Sequence, residues 1–562
     1  MPAEPSAAAR IDVWPVKATF SPGESVRLAA HAGRPTRLTL EVTHLGDLVT
    51  RSAVEIAAGP SSVDLGRFDI GGYAVTTDLP GVARAGGSGT AAGDGAGVAT
   101  AFDVLDSALR RPRYGFLSEF APDRADADDA IRGMPRLHQN LVQFYDWMHR
   151  HADLIGEAEE FTDACGRRLS HRVTRDLIHR VRDAGALPLA YAVVYGVGKE
   201  HATSHPDQLL YHADGSPWML ADLLRIANLD PSGGWSAHII REFRRAVEEM
   251  GFAGLHLDSY GSPKIAWDAT GAPVDLAEQL PVFLRMVRAT LPASTLIFNN
   301  VNDYPTFATA PTPQDATYIE VWDPHREYGH LVSLIDRARA TAADKPVILA
   351  AYLTPFADDT AERAGWAARL ALATVFAHGG HYLLCGEGDG VLTHPYYPKF
   401  ARLDADSHLL LRRYFDYAVA QGDLLYDPAA RDVTRSHLAS DENDELQVIA
   451  DVPVSADPLP GRLWAIARRG GHGMTVHLID LAAQSDVEWN RGKQPATARR
   501  GVQVRLRWPG AAALVGSPEA GPDLRPAATV RDGDYLQAAI PAFRAWATVH
   551  FPPHREDAAG QA

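Results

Sequence analysis

The chain has 562 residues, 46% hydrophobic and 22% charged, and a formal net charge of −16 from 70 acids against 54 lysines and arginines. That length exceeds one hydrophobic core and predicts about two to four domains. The acidic balance, without any basic run, excludes nucleic acid and anionic membrane as partners, and two cysteines, Cys165 and Cys385, exclude a disulfide framework or multi-cysteine metal site.

The opening MPAEPSAAARIDVWPVKATF has neither a basic n-region nor an apolar h-region. The expectation is a soluble chain without an export signal, cytoplasmic as written or secreted once a signal has been removed. No stretch approaches the roughly 18 apolar residues of a membrane span. Residues 10 to 106 alternate short β-type runs with turn signals: RLTLEVTH, LVTRSAVEI, SSVDLGRFDI, GYAVTTDL and ATAFDVLD. That spacing predicts an immunoglobulin-like β-sandwich over 1–106, in which RAGGSGTAAGDGAG, residues 84 to 97, is a flexible loop or hairpin tip.

From about residue 107 apolar strands alternate with helical stretches. The predicted strands are 140–147, 187–196, 223–230, 254–258, 295–300, 317–322, 345–352 and 380–387. Helices are predicted at SHRVTRDLIHRVRDAG, SAHIIREFRRAVEEMG, LAEQLPVFLRMVRATL, LVSLIDRARATA and DTAERAGWAARLALATVFAHGG. Eight such units in ~300 residues predict a (β/α)8 barrel over 107–425 rather than an open doubly wound sheet. A helix, DSHLLLRRYFDYAVAQ, then leads into LQVIADVPV, RLWAIARR, MTVHLIDL, VQVRLRWP, DYLQAAI and WATVHFPP, a C-terminal β-sandwich over 426–562 with a frayed tail REDAAGQA.

In such a barrel the C-terminal strand ends build the active site. Here those ends are polar or aromatic: Tyr145 with Asp146, Tyr195, Asn228 with Asp230, His256 with Asp258, Asn299 with Asn300, Glu320 with Trp322, Tyr352, and Glu387. Singly, each could cap the following helix; together they need a wet cavity or a polar ligand. Alternation puts His256 and Asp258 on one strand face, and Tyr318, Glu320 and Trp322 on another. Two carboxylates beside an indole suit glycosidic cleavage, one protonating the leaving oxygen and one ionised against the anomeric carbon. Glu320, flanked by Val321 and Trp322, is the better candidate for the raised pKa. The mouth is further expected to hold Trp147, Trp218, Trp235, Tyr260, Tyr396 and Tyr397, flat rings that suit sugar faces.

Competing chemistries find less. His149 and His151, His201 and His205, and His378 and His381 complete no zinc spacing. No GxSxG or GxxxxGK[ST] occurs.

Taken together, YGFLSEF (114–120), QFYDWMHRH (143–151), GFAGLHLDSYG (251–261), YIEVW (318–322) and HGGHYLLCGEGDGVLTHPYYP (378–398) resemble glycoside hydrolase family 66, the endo-dextranases and cycloisomaltooligosaccharide glucanotransferases. The resemblance implies a retaining, endo-acting hydrolase of α-1,6-glucan, with Asp258 as nucleophile and Glu320 as acid/base. It implies an α-glucan partner and no cofactor. Tyr145, Asp146, Tyr195, His256, Asn299, Trp322, Glu387 and Asp389 are the expected substrate-binding residues, with no metal ligand among them. Where the family commonly has Asp in GFDG this chain has Ala253, ahead of the strand. Cyclising members resemble it less well, because the Tyr352 to His381 connection leaves no room for their inserted carbohydrate-binding module; hydrolysis is expected over cyclisation.

Overall fold

The computed structural model describes residues 11–78, 98–220, 222–438 and 444–553. The glycine-rich tract 84–97 and the tail from Arg555 lie outside them. Seven N-terminal strands form two antiparallel sheets: Ile11–Pro15, Val26–Ala32 and Gly59–Gly66 in one, and Thr36–His44, Asp47–Ile56, Gly71–Asp78 and Ala99–Val104 in the other. Alternation drives their inner faces together, with Leu28, Leu40, Val42, Val75 and Phe102 all buried.

Eight parallel strands then run in sequence order: β1 (Tyr114–Leu117), β2 (Leu141–Phe144), β3 (Leu187–Val193), β4 (Gly254–Asp258), β5 (Thr295–Val301), β6 (Ala316–Glu320), β7 (Val347–Ala350) and β8 (His381–Leu383). The Glu387 N–H donates to the Phe116 carbonyl at 2.9 Å, tying the end of β8 to β1 and closing the barrel. Inward residues Tyr114, Phe116, Leu141, Leu189, Ile297, Tyr318, Ile348 and Leu383 fill the lumen. Outward residues such as Leu255, Leu257 and Phe298 pack under helices His171–Asp183, Gly234–Arg245 and Leu276–Thr290.

One expected strand is not in the barrel. Of residues 223–230 only Leu224–Ile226 is extended, and it pairs antiparallel with Gly196–Val197 and Met219–Leu220 in a small separate sheet. The connection from β3 folds back as Gly196–Val197 and Met219–Leu220 and holds only the short helix Lys199–Ser204 and a single 3-10 turn, so no long crossover helix returns the chain to the barrel sheet. The place is taken by YGFL, which becomes β1, so QFYDW ends the second strand rather than the first.

The C-terminal strands form two antiparallel-dominated sheets facing each other, one holding Leu463–Gly470, Gly473–Asp480 and Trp546–Phe551, the other Leu446–Ile449, Gln503–Arg507 and Tyr535–Ala539. Helix Ala405–Ala420 lies between the domains. Its Asp416 accepts hydrogen bonds from Thr100 and Ala101 of the N-terminal sandwich and from His138 of the barrel, while Tyr414 and Tyr417 meet Trp546. A C-terminal loop also reaches the C-terminal mouth of the barrel: the Trp489 indole donates to the His325 carbonyl at 2.6 Å, and Asn490 accepts from Thr354 N–H at 2.8 Å, bracing the segments after β6 and β7. Among the described residues no helix is long and apolar enough to cross a membrane.

Candidate active site

Two glycines lead into the strand that ends on Asp258, each for a different reason. Gly251 has φ +87°, the left-handed conformation that closes the preceding helix. Gly254 starts β4 where a Cβ would lie 2.0 Å from the Thr295 carbonyl of β5. Ala253, at this same lower end, contributes only its backbone, to Pro188 and Thr295, and is remote in register from the strand's functional end. The inward face of β4 then reads Gly254, His256, Asp258, and the carboxylate is carried to the barrel mouth.

Asp258 and Glu320 are brought together by one amide. Asn299 Nδ2, from β5 between them, donates to Asp258 Oδ1 at 2.8 Å and to Glu320 Oε2 at 3.0 Å. Those two legs cap the separation of the two oxygens at 5.8 Å. Tyr191 O–H donates to the other Asp258 oxygen at 2.7 Å, and Tyr352 O–H to the other Glu320 oxygen at 2.9 Å. Trp322 also hydrogen-bonds Glu320 through its side chain, and its ring lies 5.7 Å from that of Tyr352. Among the described residues no lysine, arginine or histidine forms an ion pair with either carboxylate.

Burial without a cation raises both acids. Desolvation, then the Glu320 charge, pushes Asp258 up to about 7, against the lowering pull of Tyr191 and Asn299. Desolvation likewise raises Glu320, partly offset by Asn299 and Tyr352. The raised pKa is therefore a property of the pair, and not of Glu320 alone as the flanking residues suggested. Two acids this close titrate as a pair, because the charge on one makes the second harder to ionise.

The other expected site residues divide. Tyr145 and Trp322 are half-buried at the mouth, and the Tyr145 ring stacks on Tyr397 at 4.3 Å and meets Tyr191 at 4.7 Å. Asp146 flanks them in the left-handed conformation, φ +51°. Burial pushes its carboxyl up to about 7, with Arg167, 3.8 Å away, pulling it down and the Asp163 charge adding to the rise. His256 lies one layer lower, buried and held neutral by desolvation, its Nδ1 2.7 Å from the Tyr114 hydroxyl.

Three are placed elsewhere. Tyr195 is buried beyond the end of β3, and its hydroxyl is used by the segment after β4, donating to the Ser262 carbonyl and accepting the Tyr260 N–H. Glu387 is sealed into the β8–β1 seam, accepting from the Ser118 and Glu119 N–H groups and pairing with Arg124 at 2.5 Å. Asp389 is exposed on the rim, 3.7 Å from His408. Trp147 and Trp235, expected at the mouth, are fully buried with their indoles donating to the Tyr191 and Val194 carbonyls. Glu387→Ala therefore tests closure rather than binding: among the described residues buried Arg124 keeps only the exposed Asp126, at 2.9 Å, as an ion-pair partner, and losing its buried partner is expected to cost about 3 kcal/mol in chemical denaturation while KM stays unchanged.

Sequence reasoning missed Tyr191, and noted Tyr352 and Tyr397 without placing them at the carboxylates. The signal for Tyr191 was present. It alternates with Val193 on the inward face and pairs with His256 in register, but the end of the apolar run drew attention to Tyr195, two residues past the strand.

A cavity of about 870 Å³ lies at the opposite end of the barrel, lined by Arg111, Arg339, His381, Tyr426 and Arg468 among others. It is at the N-terminal strand ends, where barrels keep stability rather than chemistry. Among the described residues no three His, Cys, Asp or Glu side chains are grouped so as to hold a metal ion.

The family model of Glycosyl hydrolase family 66 matches residues 15–550. Two cycloisomaltooligosaccharide glucanotransferases of Niallia circulans are 26% and 25% identical over 400 and 392 residues, which is 62% and 61% of this chain. The chain spans only 39% and 38% of their lengths. In structure it superposes on a Paenibacillus sp. cycloisomaltooligosaccharide glucanotransferase complexed with cycloisomaltoheptaose, with a TM-score of 0.84 at 19% identity, covering 96% of this chain and 99% of that one.

Proposed function

The chain belongs to glycosyl hydrolase family 66, and from that premise we propose that it is a retaining, endo-acting hydrolase of α-1,6-glucan. The observation that carries the reading is the shared Asn299 amide, which keeps the two carboxylates within reach of one glycosidic bond. Retaining enzymes hold their carboxyl groups about 5–5.5 Å apart, whereas inverting ones need about 6.5–9.5 Å to admit a water. The 5.8 Å ceiling supports the former.

In the first step an Asp258 oxygen attacks the anomeric carbon, the C1–O6 bond breaks, and Glu320 gives its proton to the departing O6. Asp258 is then bound to the sugar and Glu320 is ionised. In the second step Glu320 takes a proton from an incoming water, whose oxygen displaces Asp258 with a second inversion. The first step requires one proton on the pair, on Glu320, with Asp258 ionised; burial and the close pairing favour keeping a proton on the pair, and the bonds from Tyr191 and Asn299 favour the Asp258 anion. Asn299 suits both steps, because its two-way donation follows the negative charge as it moves from Asp258 to Glu320. Tyr145, Trp322 and Asp146 offer ring faces and a hydrogen-bond acceptor to the flanking sugars.

Transfer to a glucan hydroxyl in place of water is supported equally. The relatives are named as glucanotransferases, and the covalent intermediate is common to both outcomes. The short connection between Tyr352 and His381 does not decide between them, since a glucanotransferase superposes over 99% of its length. Chromatography of products from dextran, pullulan and starch is the test. Linear isomaltooligosaccharides from dextran alone are expected. Cyclic or elongated products would establish transfer, and no turnover of any glucan would overturn the substrate assignment.

A further inference from the structure

The loop after β8 delivers an unusual group to the barrel. In HPYYP, residues 394 to 398, Tyr396 stays near the surface while Tyr397 turns inward at a single 3-10 turn, Tyr397–Lys399, and is buried. Its hydroxyl lies 3.2 Å from that of Tyr352 and 3.4 Å from that of Tyr318. Three phenols from β6, the end of β7 and the loop after β8 thus converge on one another, and only Tyr352 of the three bonds a carboxylate.

Proton counting gives this cluster a direction. Tyr352 has one hydroxyl proton and gives it to Glu320. Its oxygen can then only accept, so the proton between Tyr352 and Tyr397 comes from Tyr397. By the same reasoning the Tyr397 oxygen accepts from Tyr318. Burial holds all three phenols above their ordinary range, so none ionises in competition with the acids. The result is a chain running Tyr318 to Tyr397 to Tyr352 to Glu320, with every donor aimed at the carboxylate. Chains of this kind polarise along their length, and each bond strengthens the next.

We infer that Tyr397 is a positioning residue: it holds the Tyr352 hydroxyl proton on Glu320 and so favours the ionised form of that group, without touching substrate itself. The inference rests on the assignment of Glu320 as acid/base above. The titratable groups facing Glu320 are Asp258 from β4, Tyr318 from its own strand, Tyr352 after β7 and Tyr397 after β8, and among the described residues no cation intervenes. The tyrosines are therefore the groups through which the protein favours the Glu320 anion from that side, as Asn299 does from the other. Tyr397 also stacks under Tyr145, which meets Tyr191, the donor to Asp258, so one loop residue supports both carboxylates by different contacts.

The sign of its removal follows. In Tyr397→Phe the Tyr352 oxygen loses its donor, the bond from Tyr352 to Glu320 weakens, and the anion is less favoured. The proton is then held to higher pH. Since glycosidic cleavage needs Glu320 protonated, the alkaline limb of kcat/KM moves up, by about 0.1 to 0.7 pH unit if the link strengthens a charge-assisted bond by ~10–30%. Tyr352→Phe, which loses the direct bond, should move it further, and Tyr318→Phe, one link more remote, less.

The experiment is kcat/KM against pH for the wild type and the three Phe variants, with a carboxyl titration of each protein by carbon-13 NMR after glutamate labelling. The NMR titration needs no turnover, so it reads the chain even if no glucan proves to be a substrate. A graded upward displacement in the order Tyr352, Tyr397, Tyr318 is the expected result. A Tyr397→Phe protein whose limb and titration are unchanged, or displaced downward, overturns the inference, as does a loss of rate equal at every pH. If Tyr397→Phe does not fold, Tyr318→Phe carries the same direction, and an unmoved titration there overturns it too.

Discussion

Asp258→Asn is expected to lower kcat/KM on glucan by roughly 10⁴-fold or more, since no covalent intermediate can form, and Glu320→Gln by about 10²- to 10⁴-fold, the share of general acid/base help. The two losses differ in kind. With a glucosyl donor whose leaving group needs no proton, Glu320→Gln should keep a fast first step and accumulate the glycosyl enzyme, because only the water-activating step still lacks its base. Asp258→Asn should show no such rescue. Burst kinetics on an activated glycoside separates them, and equal behaviour of both variants would reverse or void the assignment.

The same substitution has an opposite effect on stability. A carboxyl raised to about 7 in the folded chain binds its proton more tightly than in the unfolded chain, so its contribution is favourable at low pH. That contribution is lost as pH rises from about 4 to about 7, where a buried charge must be carried. Asp258→Asn removes the charge and keeps the shape. It should therefore melt higher than the wild type at pH 8, with the difference shrinking at pH 4. Asp146, also raised to about 7 by burial, adds to the same slope.

The largest effect away from the site belongs to Arg113. It is buried just before β1 and pairs with Asp103 of the N-terminal sandwich at 2.7 Å, while its remaining donors go to the carbonyls of Ala18, Arg111 and His138. Arg113→Met leaves Asp103, which is fully buried, with only the Thr19 hydroxyl as a side-chain donor. Removing one partner of such a pair costs about 3–5 kcal/mol. Asp103→Asn combined with Arg113→Met should recover part of it, because no charge is then stranded. The measurement is the midpoint of the first urea transition, since a chain with several domains need not unfold in one step. A single variant within about 0.5 kcal/mol of wild type would show that this junction does not hold the sandwich to the barrel.

Much was written locally. The period-two runs of both flanking regions, the six long helices and the end of β4 at Asp258 follow from hydrophobic spacing, because a strand or helix that buries one face must repeat apolar residues at its own period. The family motifs carried Asp258 and Glu320, and alternation alone placed each on an inward face. What the chain's local pattern could not show was which apolar runs are neighbours. Residues 223–230 look like a strand and are partly one, yet pair in another sheet, while the four residues of β1 are too few to stand out. Nor does spacing distinguish a polar strand end that faces the mouth from one used to close the barrel: Glu387 and Asp258 follow equally apolar runs, but Arg124 and two backbone N–H groups reach only Glu387.

The fold class and the placing of Asp258 and Glu320 at inward strand ends were thus legible in short-range periodicity and local motifs. Their environment came with the closed barrel. Asn299 from β5, Tyr191 from β3 and Tyr352 after β7 bond the carboxylates, and Tyr397 after β8 reaches them through Tyr352; these segments lie up to about two hundred residues apart and meet only once the strands close. Burial and hydrogen-bond partners set a carboxyl's proton affinity, and both are properties of the closed barrel rather than of any stretch within it.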